Sequence, residues 1–196
     1  MRTATSEFLT REEGDQKFIE GYFAVFNSRY DIAPGLSESI APGAFDDTLA
    51  GDIRALINHD TTLVLGRTKA KTLELKTDSR GLWGRILVNP NDQDAMNIYE
   101  RVKRGDVDQC SIGFDIESEE TEFEANDAIH WKLTKIKLYE VSCCTFPAYE
   151  ETSISARTKE AEEIKKRKAE AWKESMTKRL KGDAHGTQSV DASEEN

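Results

Sequence analysis

Asp108-Gln109-Cys110-Ser111-Ile112-Gly113-Phe114-Asp115-Ile116 is the stretch on which the reading of this chain turns. Cys110, Ile112, Phe114 and Ile116 alternate with Gln109, Ser111, Gly113 and Asp115, the period of two that marks a half-buried strand. Ser111 falls on the polar side. Gly113, two residues on, keeps the neighbouring backbone bare and leaves room for a foreign chain to approach. A serine on a strand's polar face is ordinarily just solvated, so this stretch alone defines no chemistry.

Two other stretches change its meaning. Upstream, Ile53-Arg54-Ala55-Leu56-Ile57-Asn58-His59-Asp60 is an apolar run that closes on a histidine. Downstream, in the run Lys135 to Ala148, Lys135 and Lys137 mark one strand face while Ile136, Leu138 and Glu140 share the other. A carboxylate in line with two core residues is costly to bury unless a partner holds it. A histidine, a serine and a half-buried glutamate, each on its own strand, are the parts of a nucleophilic triad: His59, Ser111 and Glu140. Ser111 would attack a carbonyl, His59 would take its proton, and Glu140 would hold the imidazole.

The segments "NHD" (58–60), "SIGF" (111–114) and "LYEVSCCTFPA" (138–148), with "ESIAPGAFDDTL" (38–49) ahead of them, resemble the prohead proteases of tailed bacteriophages. These are serine peptidases related in fold to the herpesvirus assemblins. The resemblance runs from about Phe18 to Ala156. It implies a mainly antiparallel β-barrel with a few helices, and it carries His59 and Ser111 over directly. Glu140 matches in "EVS", although assemblins place a second histidine there. The activity implied is a serine endopeptidase that cuts the scaffold, or the scaffold segment of the capsid protein, and itself, inside the prohead in the host cytoplasm. The expected partners are therefore capsid protein, its scaffold segment and other copies of the chain, with no nucleic acid, membrane, metal or cofactor required.

Other assignments of the same residues remain open at this level. His59 beside Asp60 could be a surface pair, Glu140 could pair with Lys135 or Arg54, and Asp60 could replace Glu140 as the third member. His130 and His185 are poorer bases, one lying beside Trp131 in a hairpin and the other in the tail. A thiol nucleophile at Cys110 would need that side chain to leave the face of Ile112 and Phe114; Cys143 and Cys144 read as packing residues. Ser111 on a polar face and Glu140 on an apolar one are in tension, which a helix covering the outside at Glu140 would resolve. The oxyanion site is placed only by proximity, near Phe146 to Tyr149, because backbone amides need no particular side chain. A non-enzymatic assembly factor with the same barrel is the competing function.

The 196 residues allow one ordinary domain and a tail. No run is long enough to span a membrane, and the first residues lack a signal peptide's apolar region. Three cysteines, two of them adjacent and none in a CxxC spacing, fit a reducing cytosol and argue against zinc. The net charge of −10 is uneven. Residues 1–156, the expected protease domain, hold 17 Lys/Arg against 28 Asp/Glu; 157–181, a charged helical extension, hold 10 against 5; 182–196, a disordered tail, hold four acids and no Lys or Arg.

In chain order, Lys17 to Asn27 reads as a buried strand and Asn27 to Ser39 as a loop. Pro42 and Gly51 bracket a short helix carrying Ala44, Phe45 and Leu49 inward. Strands Thr72–Lys76 and Leu82–Asn89 flank an Asp78-Ser79-Arg80-Gly81 turn. Asn91 or Asp92 caps a helix with Ala95, Ile98, Tyr99 and Val102 on one face, stopped by Gly105. Glu117 to Asn126 is a mobile loop or an exposed ribbon, and Ile129–Leu133 and Lys135–Phe146 are the last strands. Thr158 to Leu180 forms a solvated helix or an arm for a partner.

Overall fold

The computed structural model describes residues 8–146 and 151–183. The chain divides into two compact units, Met1–Glu151 and Thr152–Asn196. Strands β1 (Leu9–Glu13), β2 (Gln16–Val25), β7 (Leu73–Thr77) and β8 (Gly81–Val88) form one sheet in the order β1-β2-β8-β7. The second sheet runs β3 (Tyr30–Ala33), β4 (Leu36–Ile40), β10 (Ile129–Cys144), β5 (Arg54–Ile57) and β6 (Asp60–Arg67), with β9 (Gln109–Phe123) paired to β10.

β10 organises this second sheet because it is long enough to serve several partners. One edge carries β9 antiparallel along nearly its whole length. The other edge takes β4 parallel at Ile129–Leu133 and β5 parallel at Glu140–Cys143. Every other pairing is antiparallel. Mainly antiparallel strands and two helices are therefore present, but the barrel expected from the sequence is not drawn by the ladders. Among the described residues the two sheets share no paired strand. β10 commits one edge to β9 and the other to β4 and β5, and the remaining edge of β9 has no strand partner among the described residues.

The helix α1 (Gln93–Arg104) forms where its caps and stripe require. Asp92 Oδ1 accepts from the amides of Asp94 and Ala95 at 2.9 and 3.2 Å, and Gly105 closes the other end in a left-handed conformation. Ala95, Ile98, Tyr99 and Val102 are buried, and each larger side chain contributes roughly 1.5–3 kcal/mol by leaving water. The Asp78 turn is held by Oδ1, which accepts from Arg80 N and Gly81 N.

Several expectations are corrected. Residues 42–50 are successive turns rather than a helix: the amides of Ala44, Asp46 and Thr48 reach back three residues, only Leu49 reaches back four, and Gly43 sits at φ +87°, outside the helical region. Ala44 and Phe45 are still buried. The segment read as a loop from Asn27 contains the β3–β4 hairpin around Pro34 and Gly35; Ser37, Glu38 and Ser39 are buried there because β4 lies between β3 and β10. β1 and β6 were not expected. The acidic run takes the ribbon form, since β9 pairs with β10 as far as Phe123, opposite Ile129, and Arg29 grips Glu124 through two bonds of 2.6 and 2.8 Å. The two last strands are one, interrupted only by register shifts.

The helix α2 (Glu151–Asp183) is longer than expected at its N-terminal end, and its described side chains from Lys165 to Arg179 are exposed, including Trp172. The remainder of the tail, with His185, lies outside the described residues. No described helix is long and apolar enough to cross a membrane.

Candidate active site

His59 is delivered by a tight hairpin. Ile57 of β5 pairs with Asp60 of β6, which leaves Asn58 and His59 as a two-residue loop, at φ +50° and +61°. Positive φ at both central positions is what a type I′ turn requires, and it matches the twist of the flanking strands. Glycine is the usual occupant of the second position. A histidine there carries a conformational cost of the kind that persists where surrounding contacts over-determine it. Those contacts come from β10 and the residue that follows it. Asn58 N donates to Cys143 O at 3.0 Å, Thr145 N donates to Asn58 Oδ1 at 2.9 Å, and His59 N donates to Ser142 Oγ at 3.2 Å.

Glu140 meets the imidazole directly: His59 Nδ1 lies 2.6 Å from Glu140 Oε1. Glu140 Oε2 accepts from Ser142 Oγ, also at 2.6 Å. The glutamate side chain is 12% exposed and the histidine 35%. With Nδ1–H donated to the carboxylate, Nε2 is the nitrogen left for a proton from elsewhere; it is buried and has no hydrogen-bond partner among the described residues.

The conflict between the faces of Ser111 and Glu140 is resolved by a β-bulge, not by a covering helix. Leu138 lies opposite Phe114 and Glu140 opposite Gly113, so β10 spends two residues where β9 spends one. The extra residue, Tyr139, is exposed and donates its hydroxyl to Asp115 Oδ2. Up to Leu138 the strand alternates as its sequence suggests, with Ile136 and Leu138 buried and Lys135 and Lys137 out. Beyond the bulge the phase is shifted, and Glu140 joins the face of Gly113 and Ser111. Ser142 stands directly opposite Ser111, a relation that puts Cβ atoms about 5 Å apart.

Gly113 serves a different purpose from the one expected. A Cβ at that position would lie 2.4 Å from Glu140 Oε1, so the bare backbone makes room for the chain's own carboxylate. His59 and Glu140 are thus joined by a hydrogen bond, and Ser111 shares their sheet face through β9. No hydrogen bond links Ser111 to Nε2 in this structure; in ligand-free sites such contacts are commonly long and tighten with substrate.

The alternatives are accounted for by their contacts. Asp60 Oδ1 accepts from the amide and hydroxyl of Thr62, which holds its carboxyl below the usual range, whereas His59 Nδ1 is taken by Glu140. Lys135 pairs with Asp47 and Glu117, and Arg54 with Asp52. His130 is buried, with its two nitrogens 2.9 Å from the hydroxyls of Ser37 and Ser39. Cys110 Sγ points to the carbonyls of Tyr22 and Phe23 on β2. Burial pushes the Cys143 thiol up strongly and the Cys144 thiol to about 12, and no disulfide joins the three cysteines. Phe146 is exposed, and the rest of the segment suggested for the oxyanion, 147–149, lies outside the described residues. The contacts of Ser142 Oγ with Glu140 and the His59 amide were not anticipated. The spacing of two from Glu140 puts both residues on one strand face, but that this is the face of Ser111 becomes legible only once the bulge is known.

The structure thus brings a strained hairpin histidine and a half-buried carboxylate into one hydrogen bond, with a serine on the same sheet face. The profile described as caudovirus prohead serine protease matches residues 6–167, and the chain belongs to that family. It is 30% identical over 148 residues to the prohead protease of Enterobacteria phage HK97. That alignment covers 74% of this chain and 61% of the relative, so the chain spans somewhat under two thirds of that protein's length. No solved structure matches.

Proposed function

We propose that the chain is a serine endopeptidase of phage head maturation, acting within the prohead in the host cell on the scaffold or on the scaffold segment of the capsid protein, and on itself. Ser111 Oγ attacks the scissile carbonyl, His59 Nε2 accepts its proton and returns it to the leaving amine, and Glu140 holds Nδ1–H and balances the imidazolium. The observation that carries this reading is the 2.6 Å bond from His59 to Glu140 on the sheet face that Ser111 shares. A carboxylate fixed on Nδ1 selects the tautomer whose Nε2 can act as base.

The test is co-expression with the phage's own capsid protein and mass-mapping of the fragments. Ser111→Ala and His59→Ala are each expected to abolish cleavage with the circular dichroism of the parent. Because such groups act as a unit, the double variant should be no worse than either single one. Processing that continues with Ser111→Ala while heads still assemble would instead identify a non-enzymatic assembly factor.

A further inference from the structure

We propose that Ser142 is a positioning residue that locks the acid and the base of this site together through one hydroxyl. The inference rests on the triad reading above and adds a fourth member to it. Ser142 lies on β10 at 0% exposure, and a buried hydroxyl at such a place must find partners. Both of its partners belong to the site. Oγ–H donates to Glu140 Oε2 at 2.6 Å, and the same oxygen accepts the backbone N–H of His59 at 3.2 Å.

The two bonds act on the two loosest degrees of freedom. The terminal torsion of a glutamate is broad; with Nδ1–H on Oε1 and Ser142 on Oε2, the carboxylate plane is held by two donors, one of them a hydroxyl on an anion, which is a strong bond. The His59 backbone, at φ +61°, is held where it would otherwise relax. Ser142 also stands opposite Ser111, so the hydroxyl that orients the base is referenced to the strand that carries the nucleophile. A small displacement of a catalytic group costs on the order of a hundredfold in rate. Ser142 is not placed as the nucleophile, because its hydroxyl proton goes to Glu140 Oε2 and not to His59 Nε2.

The experiment uses the full chain and a fluorophosphonate, whose attack on serine depends on base activation and needs no knowledge of the cleavage sequence. The parent is expected to label at Ser111, mapped by mass spectrometry, and Ser111→Ala is expected not to label. Ser142→Ala should label ten- to a hundredfold more slowly while unfolding at a similar temperature. The low-field proton signal of His59 Nδ1–H, assigned by its absence in His59→Ala, should broaden or vanish in the same variant. Ser142→Cys, which preserves volume but bonds weakly, should fall between Ala and the parent. If the parent does not label, or Ser111→Ala labels like the parent, the triad reading fails. If Ser111 behaves as expected but folded Ser142→Ala or Ser142→Cys labels at the parental rate with an unchanged proton signal, the positioning role is wrong and the triad stands. If both position-142 variants unfold, the hydroxyl is structural and the inference is likewise overturned.

Discussion

A methyl group added at Gly113 would stand 2.4 Å from Glu140 Oε1, 3.0 Å from its Cγ and 3.1 Å from its Cδ. The carboxylate, being the end of a flexible side chain, is what must move, and its bond to His59 goes with it. Gly113→Ala therefore separates chemistry from folding. An alanine in a strand is generally more favourable than glycine by about 0.5–1 kcal/mol, which offsets part of the cost of displacing a half-buried carboxylate, so the chain should still fold cooperatively with at most a modest fall in its unfolding midpoint. Cleavage should fall by about tenfold to a hundredfold. Glu140→Gln tests the same bond from the other side, with a loss on the order of a hundredfold, by analogy with other triad acids. Steady-state cleavage of a peptide and a thermal melt measure both variants. Gly113→Ala with parental activity would mean that the His59–Glu140 contact does not govern the rate, and parental activity in Glu140→Gln would remove the glutamate from the mechanism.

Between elements, Glu12 shows how one carboxylate ties β1 and β2 to α1. Its Oε1 accepts from Tyr99 OH at 2.9 Å, Lys103 Nζ at 3.1 Å and Lys17 Nζ at 3.3 Å. These donors, Tyr99 foremost, pull the carboxyl from 4.5 down to about 2. A folded-state value below the unfolded one means that the unfolded chain binds the proton first. The stabilisation is then fully present above about pH 4.5 and is lost as pH falls toward 2. Glu12→Gln should flatten the dependence of the melting temperature on pH across that window while leaving the melt above pH 6 less affected. Parallel curves for parent and variant would show that Glu12 contributes nothing to acid stability.

The same scale explains what the sequence could disclose. β9, the Asp78 hairpin and α1 with both its caps follow from patterns spanning a few residues, so they were legible. The β3–β4 hairpin was not, because Ser37, Glu38 and Ser39 are polar residues buried by their neighbours rather than by their own pattern. At the site, the three residue types could be named from their stretches. What joined Glu140 to the face of Ser111 was a one-residue bulge at Tyr139, and a strict period of two assigns every residue beyond such a bulge to the wrong face.

For the molecule as a whole, truncation separates what the chemistry needs from what it does not. The family match ends at residue 167, and Ala161 is the last described residue of α2 that is buried. A chain ended after Arg167 should fold and label with fluorophosphonate at close to the parental rate, whereas one ended after Ala128 should not label at all. Labelling of the shorter chain would show that a site can form without β10.

The position of β10 has a further consequence in the order of synthesis. His59 and Ser111 leave the ribosome before the strand that brings Glu140 and Ser142 and pairs with β4, β5 and β9. Chains emerge at about 5–20 residues per second, so each new copy spends seconds with both residues already made but without the strand that holds His59 to Glu140. Under the proposed triad, competence is thereby delayed until β10 has been made, and an unfinished chain presents no working site to the nascent proteins made beside it.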